Sequence, residues 1–419
     1  MSPPVPGARG PVVQADRIDE LDVLRGVALL GVLIANFVGF ASAGMMATRA
    51  QLDLLPTALL DETALVATHW LITNKANTLF AVLFGLGFSL QIARNGDRPG
   101  FTRRYSRRLG VLFAIGILDL TLLWAWDILN LYAVAGFLLL AARGLKTRTL
   151  VIAGGLLALV SGRMFERSAE MMGFTVMRWN PSGDGAVAER VAASQAGNYR
   201  ELVGLFWQLT WAEWLAGGFF LVWLAYVLGR FLLGAAIGRS GIFEDVAGHL
   251  PLLRRIRNWT APSGLALALL LALLETGHLG LLGEEAQLAI ALLESPSALL
   301  LAAGYAAWIV TLWHWAPGRR LLAHFRPVGQ MALTNYLLQG LLYAFVLFGV
   351  GPGLALAGKV GSFAVVVISL VFFGLQMAAS RLWLSYFRFG PFEWLWRWLT
   401  YGGRAPQLLR QSSPEPQAV

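Results

Sequence analysis

No cysteine occurs anywhere in the chain, which excludes disulfides, thiolate metal sites and a cysteine nucleophile. Histidine is scarce as well. His69, His249, His278, His314 and His324 show none of the spacings that hold a metal ion, so no metal site is expected. Charged residues make up only 14% of the sequence, about half of what a soluble domain carries, and an ordinary soluble fold is thereby excluded. The first sixteen residues lack the apolar core of a cleavable signal, so the first apolar run is expected to serve as its own insertion signal. No internal repeat is visible, which counts against a transporter assembled from inverted repeats.

What the chain has in abundance is apolar sequence: 57% hydrophobic residues and a mean hydropathy of +0.62. Its long apolar runs predict an all-α, polytopic transmembrane bundle of about ten spans. They are placed at 24–46, 64–93, 108–126, 127–143, 149–165, 214–238, 259–279, 296–316, 328–350 and 360–381. Pro296 is read as the start of the eighth span, with 286–293 as an interfacial or re-entrant piece. The net charge of +9 comes from short Lys/Arg clusters between these runs, the pattern of topology signals rather than of nucleic-acid binding. By the positive-inside rule both termini face the cytosol, together with the cluster Arg94, Arg98, Arg103, Arg104, Arg107 and Arg108. The organisation expected is a disordered 1–16, a five-span half over 17–165, a periplasmic loop at 166–205 with a turn at Asn180–Gly185, a second five-span half over 206–404, and a loose tail at 405–419. The residues from Leu202 to Trp214 mix aromatic and polar side chains as an interfacial helix does.

The entry into the membrane, Arg17 to Asn36, concentrates polar chemistry. Asp19, Asp22 and Arg25 share one helix face. Arg25 reads either as an interfacial anchor or as a ligand for an anion. Asn36, about 16 Å further along, reads either as a packing amide or as a functional donor. Lys75 and Asp119 fall deep in their spans and are expected to pair, as a structural ion pair or as part of a site. His69, nearer the outer surface, is a packing residue or a proton-transfer group. Asn335 and Gln339 are four apart and share a face. The glycines of Leu83–Ser89 suit close helix packing better than nucleotide binding.

The entry motif LDVLRG with Asn36 beyond it resembles the YeiB family of bacterial inner-membrane proteins and, more distantly, heparan-α-glucosaminide N-acetyltransferase. The likeness continues through Lys75–Ser89, Arg107–Asp119, Trp126–Gly136 and Leu228–Phe243, and is most specific at VGQMALTNYLLQ (Val328–Gln339) and FRFGPFEWLWRWLTYGG (Phe387–Gly403). One position departs from it: Asp119 stands where members commonly carry His, so a carboxyl would have to act as the base there or be structural. Other transmembrane acyltransferases carry His at the place of Asn36. The resemblance implies an acyltransferase of the bacterial inner membrane with acyl-CoA, such as acetyl-CoA, as donor and no tightly bound cofactor. Arg25 with Arg103, Arg104, Arg107 and Arg108 would take the phosphates. His69 would activate the acceptor, and Asn36 or the face of Asn335 and Gln339 would hold the thioester oxygen. The alternatives are a proton-coupled small-solute transporter using Lys75 and Asp119, and a non-catalytic membrane scaffold. The expected partners are membrane lipids, a small-molecule substrate and a second copy of the chain.

The cysteine-free background makes the topology directly testable. Asp184→Cys should react with an impermeant maleimide in intact cells and Arg104→Cys only after the cells are opened. The reverse pattern overturns the assignment.

Overall fold

A computed structural model describes residues 17–41, 46–160, 162–171, 184–216, 218–281, 283–402 and 407–409. The ends at 1–16 and 410–419 and the turn at Asn180–Gly183 lie outside the described residues. Among the described residues the chain is helical, with one isolated antiparallel bridge between Phe387 and Leu409 and no strand. Six stretches among the described residues are long and apolar enough to cross a membrane.

The first is α1 (Asp19–Ala41), whose opening turn carries Asp19, Glu20 and Asp22 at the positive end of the helix. A short α2 (Arg49–Asp53) leads to α3 (Ala58–Leu71) and α4 (Lys75–Asn95). The apolar pattern predicts one span here; the structure breaks it at Ile72–Asn74, where Asn74 adopts a left-handed φ of 63°. The freed backbone groups are re-used: Ile72 and Thr73 N–H both donate to the Thr68 carbonyl, and Lys75 and Ala76 N–H to the Ile72 carbonyl. Next come α5 (Phe101–Leu122), α6 (Leu129–Ala141) and α7 (Thr147–Val160). With 13 and 14 residues, α6 and α7 rise only about 20 Å each, short of the full spans expected over 127–143 and 149–165.

The segment 166–205 carries helices: α8 (Arg163–Met171), α9 (Asp184–Gln195) and α10 (Tyr199–Leu209), followed by a π-helical turn at Thr210–Ala216. Gln195 Nε2 donates to the Ala357 carbonyl and Gly349 N–H to the Ser194 carbonyl, tying α9 to the loop before α17. The exposed Trp207 and Trp211 suit the membrane surface.

The second half holds α11 (Phe219–Gly238), α12 (Val246–Glu275), α13 (Gly283–Trp313), the short α14 (Ala316–Leu322) and α15 (Arg326–Gln330), α16 (Ala332–Leu347), α17 (Ser362–Tyr386) and α18 (Pro391–Thr400). Contrary to the start expected at Pro296, α13 runs unbroken through that proline. Ser297 Oγ donates to the Glu294 carbonyl, and α12 lies against α13 at Gly264 and Gly304, so helix packing overrides the local breaker.

Two carboxylates cap helices other than their own. Asp61 of α3 accepts from Phe363 N–H (2.8 Å) at the start of α17. Glu393 of α18 accepts from Leu333 and Thr334 N–H (2.6 and 3.1 Å) and from the Thr334 hydroxyl (2.5 Å) at the start of α16. Burial pushes the Glu393 carboxyl above its usual range, and these hydrogen bonds work in the opposite direction.

Around α4 the bundle closes through glycine. A methyl group at Gly85 would overlap the Phe231 carbonyl of α11, and one at Gly234 the Val82 carbonyl of α4. Gly85→Ala should therefore cost about 1–3 kcal/mol, read as a lowered unfolding midpoint in detergent, whereas Gly39→Ala, with open space around it, should be neutral.

Candidate functional site

Polar side chains gather at the two ends of α4. At the break, Lys75 is 1% exposed and its Nζ donates to the His69 carbonyl at 2.7 Å. His69 Nδ1 lies 2.7 Å from Glu275 Oε2 at the end of α12, and Glu275 Oε1 lies 3.1 Å from Arg163 Nη2. An ionised carboxylate only accepts, so His69 donates from Nδ1 and presents its Nε2 lone pair. The ring keeps 23% of its side-chain surface open. Asn74 Nδ2 donates to Glu294 Oε1 (2.9 Å), while Glu294 Oε2 accepts from Arg163 N–H (3.1 Å). Behind the break, Tyr226 donates to the Asn74 carbonyl, and Arg230 Nε donates to Thr78 Oγ1 and covers the Tyr226 ring at 3.3 Å.

Lys75 therefore does not pair with Asp119. Its neighbouring carboxylates are Glu275 and Glu294, because α4 begins at the break and turns that end towards α12 and α13. Asp119 instead meets Asp127, across the α5–α6 turn. Asp127 accepts from Tyr336 Oη (3.0 Å) and Leu129 N–H (2.8 Å).

At the other end of α4, Asp22 binds two cations: Arg17 Nε at 3.2 Å and Arg25 Nη1 at 3.1 Å. Arg25 Nη2 lies over Gly87, where a Cβ would come within 3.2 Å. Arg108 Nη1 donates to Gln91 Oε1 (3.3 Å) and its guanidinium covers the Trp396 ring at 4.1 Å. Arg397 follows on α18, within electrostatic range of Arg108 and Arg17. Of the cluster expected to hold phosphate, only Arg108 turns inward; Arg103, Arg104 and Arg107 are exposed. Arg17 and Arg397 join the site although neither was singled out from the sequence, where the Trp and Arg residues of Phe387–Gly403 read as an interfacial helix, either a surface anchor or the lining of a cytosolic ligand entrance. The Trp and Arg spacing of Phe387–Gly403 was the available signal.

The remaining candidates lie elsewhere. Asn36 is half-buried on α1, and its amide makes no hydrogen bond among the described residues. Asn335 spends its amide hydrogens on the Val328 and Met331 carbonyls and Ser380 Oγ, and Gln339 donates to the Leu29 carbonyl and Gln376 Oε1. Both belong to the α16–α17 seam, beside a cleft of about 270 Å³ that no residue of the two clusters lines. Glu275 and Glu294 were missed because each sits in an apolar run that reads as a span end. No group of three or more metal-ligating side chains is formed among the described residues.

A helical membrane protein with ion-paired clusters at both ends of one interior helix is the class that this architecture defines. Residues 237–403 match the family described as "Protein of unknown function (DUF418)". The chain is 30% identical to the uncharacterized protein YxaH of Bacillus subtilis (strain 168), over 93% of its own length and 96% of the relative's. It is 29% identical to the uncharacterized protein YeiB of Escherichia coli (strain K12), over 95% and 100%. The chain belongs to this YeiB-like DUF418 family.

The pairing is open to a double-mutant cycle. Lys75→Ala and Glu275→Gln should be non-additive in thermal unfolding by about 0.5–3 kcal/mol, while Lys75→Ala and Asp119→Ala should add. Additivity in the first pair, or coupling in the second, contradicts the geometry described.

Proposed function

We propose that the protein is a membrane-embedded acyltransferase of the bacterial inner membrane, with about ten crossings and both termini cytosolic. It moves an acyl group from cytosolic acyl-CoA at the basic end of the bundle to an acceptor at the opposite end. The observation that carries this reading is the His69–Glu275 pair at 2.7 Å, the base-and-orienter arrangement of nucleophile activation. His69 Nε2 takes the proton of the acceptor's hydroxyl or amine as that atom attacks the thioester carbonyl. Glu275 holds the ring's tautomer and offsets the imidazolium that forms. Lys75, with only one ammonium hydrogen committed to the His69 carbonyl, supplies the positive charge that offsets the developing oxyanion. The tetrahedral adduct then collapses, the C–S bond breaks, and CoA leaves as the thiol after taking the proton from His69.

Reach supports the scheme. Gly87, beside Arg25, and Lys75 lie twelve residues apart on α4, about 18 Å, a length that an extended pantetheine arm spans.

A second reading, proton-coupled transport of a small solute, is favoured by the Asp119–Asp127 carboxyl contact and by the broken α3–α4 helix. The two part experimentally. In acyl transfer, His69→Ala and Glu275→Gln should leave CoA binding by isothermal titration unchanged while cutting transfer of radiolabelled acetyl groups to membrane extract by about a hundredfold or more. Absence of CoA binding at millimolar ligand by folded protein sinks the acyl-CoA reading and favours transport.

A further inference from the structure

We propose that Arg17, Arg25, Arg108 and Arg397 form a binding site for a phosphate monoester at the basic end of the bundle, with Arg397 of α18 as the ligand that completes it. Four separate parts of the chain supply these arginines. Gly87 and Gln91 are one turn apart on one face of α4, so Arg25 over Gly87 and Arg108 on Gln91 sit along the same side of that helix. Trp396 Nε1 donates to the Arg108 carbonyl at 2.8 Å, which pins α18 against α5, and Arg397 on the same helix lies within electrostatic range of Arg108 and Arg17. Arg17 arrives from before α1 through its contact with Asp22.

The acids nearby do not balance these cations. Asp22 serves Arg17 and Arg25 together, and Glu393 is committed to the start of α16. Arg397 covers the Phe389 ring at 4.4 Å and makes no hydrogen bond or ion pair among the described residues. Burial first, and then the charges of Arg108 and Arg17, lower its pKa to about 10, while Tyr401 and Glu393 act in the opposite direction. An anion entering this place gains several charge-assisted bonds at once. Phosphate oxygens match the guanidinium fork, whereas a lysine would offer only a point charge. Gly87 leaves the Arg25 fork unobstructed on the side of α4.

Such a phosphate comes either from a soluble ester, such as the 3′-phosphate of CoA, or from a phospholipid head group at the membrane surface. Assigning it to an acyl-CoA donor rests on the acyl-transfer reading; the phosphate site itself does not.

The test uses full-length protein in nanodiscs of phosphatidylcholine, titrated with CoA, dephospho-CoA and inorganic phosphate, and in parallel discs containing phosphatidic acid. Wild-type protein should bind CoA more tightly than dephospho-CoA. Arg397→Gln should weaken CoA about ten- to hundredfold and Arg397→Lys less, with unfolding midpoints confirming folded variants. Phosphatidic acid that raises the unfolding midpoint of wild type but not of Arg397→Gln, without CoA binding, keeps the site and assigns it to lipid. Equal binding of every probe by wild type and Arg397→Gln overturns the proposal. The two readings also fail separately. Acyl transfer with an unchanged donor KM in Arg397→Gln removes the phosphate site and leaves the enzyme, while Arg397-dependent CoA binding with turnover indifferent to His69→Ala does the opposite.

Discussion

The cost of an ammonium ion in hydrocarbon organises the bundle. Lys75 is buried at the first position of α4, where the positive end of the helix makes a cation still less welcome. A broken helix alone would not hold it there. The break releases the His69 carbonyl as an acceptor for Nζ, but neutralising the charge falls to Glu275 and Glu294. These glutamates come from the end of α12 and the middle of α13, so burying one lysine docks a two-helix hairpin on α3 and α4. Asn74 fits the same solution, since it tolerates the left-handed turn and reaches Glu294 with its amide.

A related constraint acts at the helix starts. An N–H left without a partner in the bilayer costs several kcal/mol, and the usual remedy is a cap from the preceding residues. Neither α16 nor α17 has a side-chain cap of its own. Glu393 and Asp61 provide them from distant helices, which makes the register of α16 against α18, and of α17 against α3, part of the satisfaction of the backbone. The bundle is thus specified by polar contacts as much as by apolar packing.

This explains what could be read from the sequence. Membrane insertion and helicity follow from apolar runs alone, and Arg25, His69, Lys75 and Asp119 stood out because charge is conspicuous in such runs. Their partners did not. Lys75 and Asp119 are complementary in sign and were expected together, yet one lies in the field of two glutamates and the other beside a second carboxyl, because the α3–α4 break and the short α6 set directions that periodicity does not encode. Glu294 lay beside Pro296, and the proline drew the reading towards a helix end where packing keeps the helix whole. The role of Arg397 depends on α18 folding back under α5, a contact between residues nearly three hundred positions apart.

Both clusters touch α4, which raises the question of how one end informs the other. Through space the answer is weak: unit charges about 18 Å apart interact by roughly 1 kcal/mol at an effective dielectric of 20, too little to command a reaction. Mechanical transmission is restricted as well, because Gly85 and Gly234 lock α4 to α11 at backbone contact. What can link the two ends is a ligand long enough to occupy both. Under the proposed acyl transfer, anchoring an anionic head between Arg25 and Arg397 would fix where its other end lies along α4, and the binding energy gained there would be spent on placing a reactive carbon beside His69 and Lys75. A rigid helix suits that purpose better than a mobile one, since an error of about 1 Å in placement costs on the order of a hundredfold in rate.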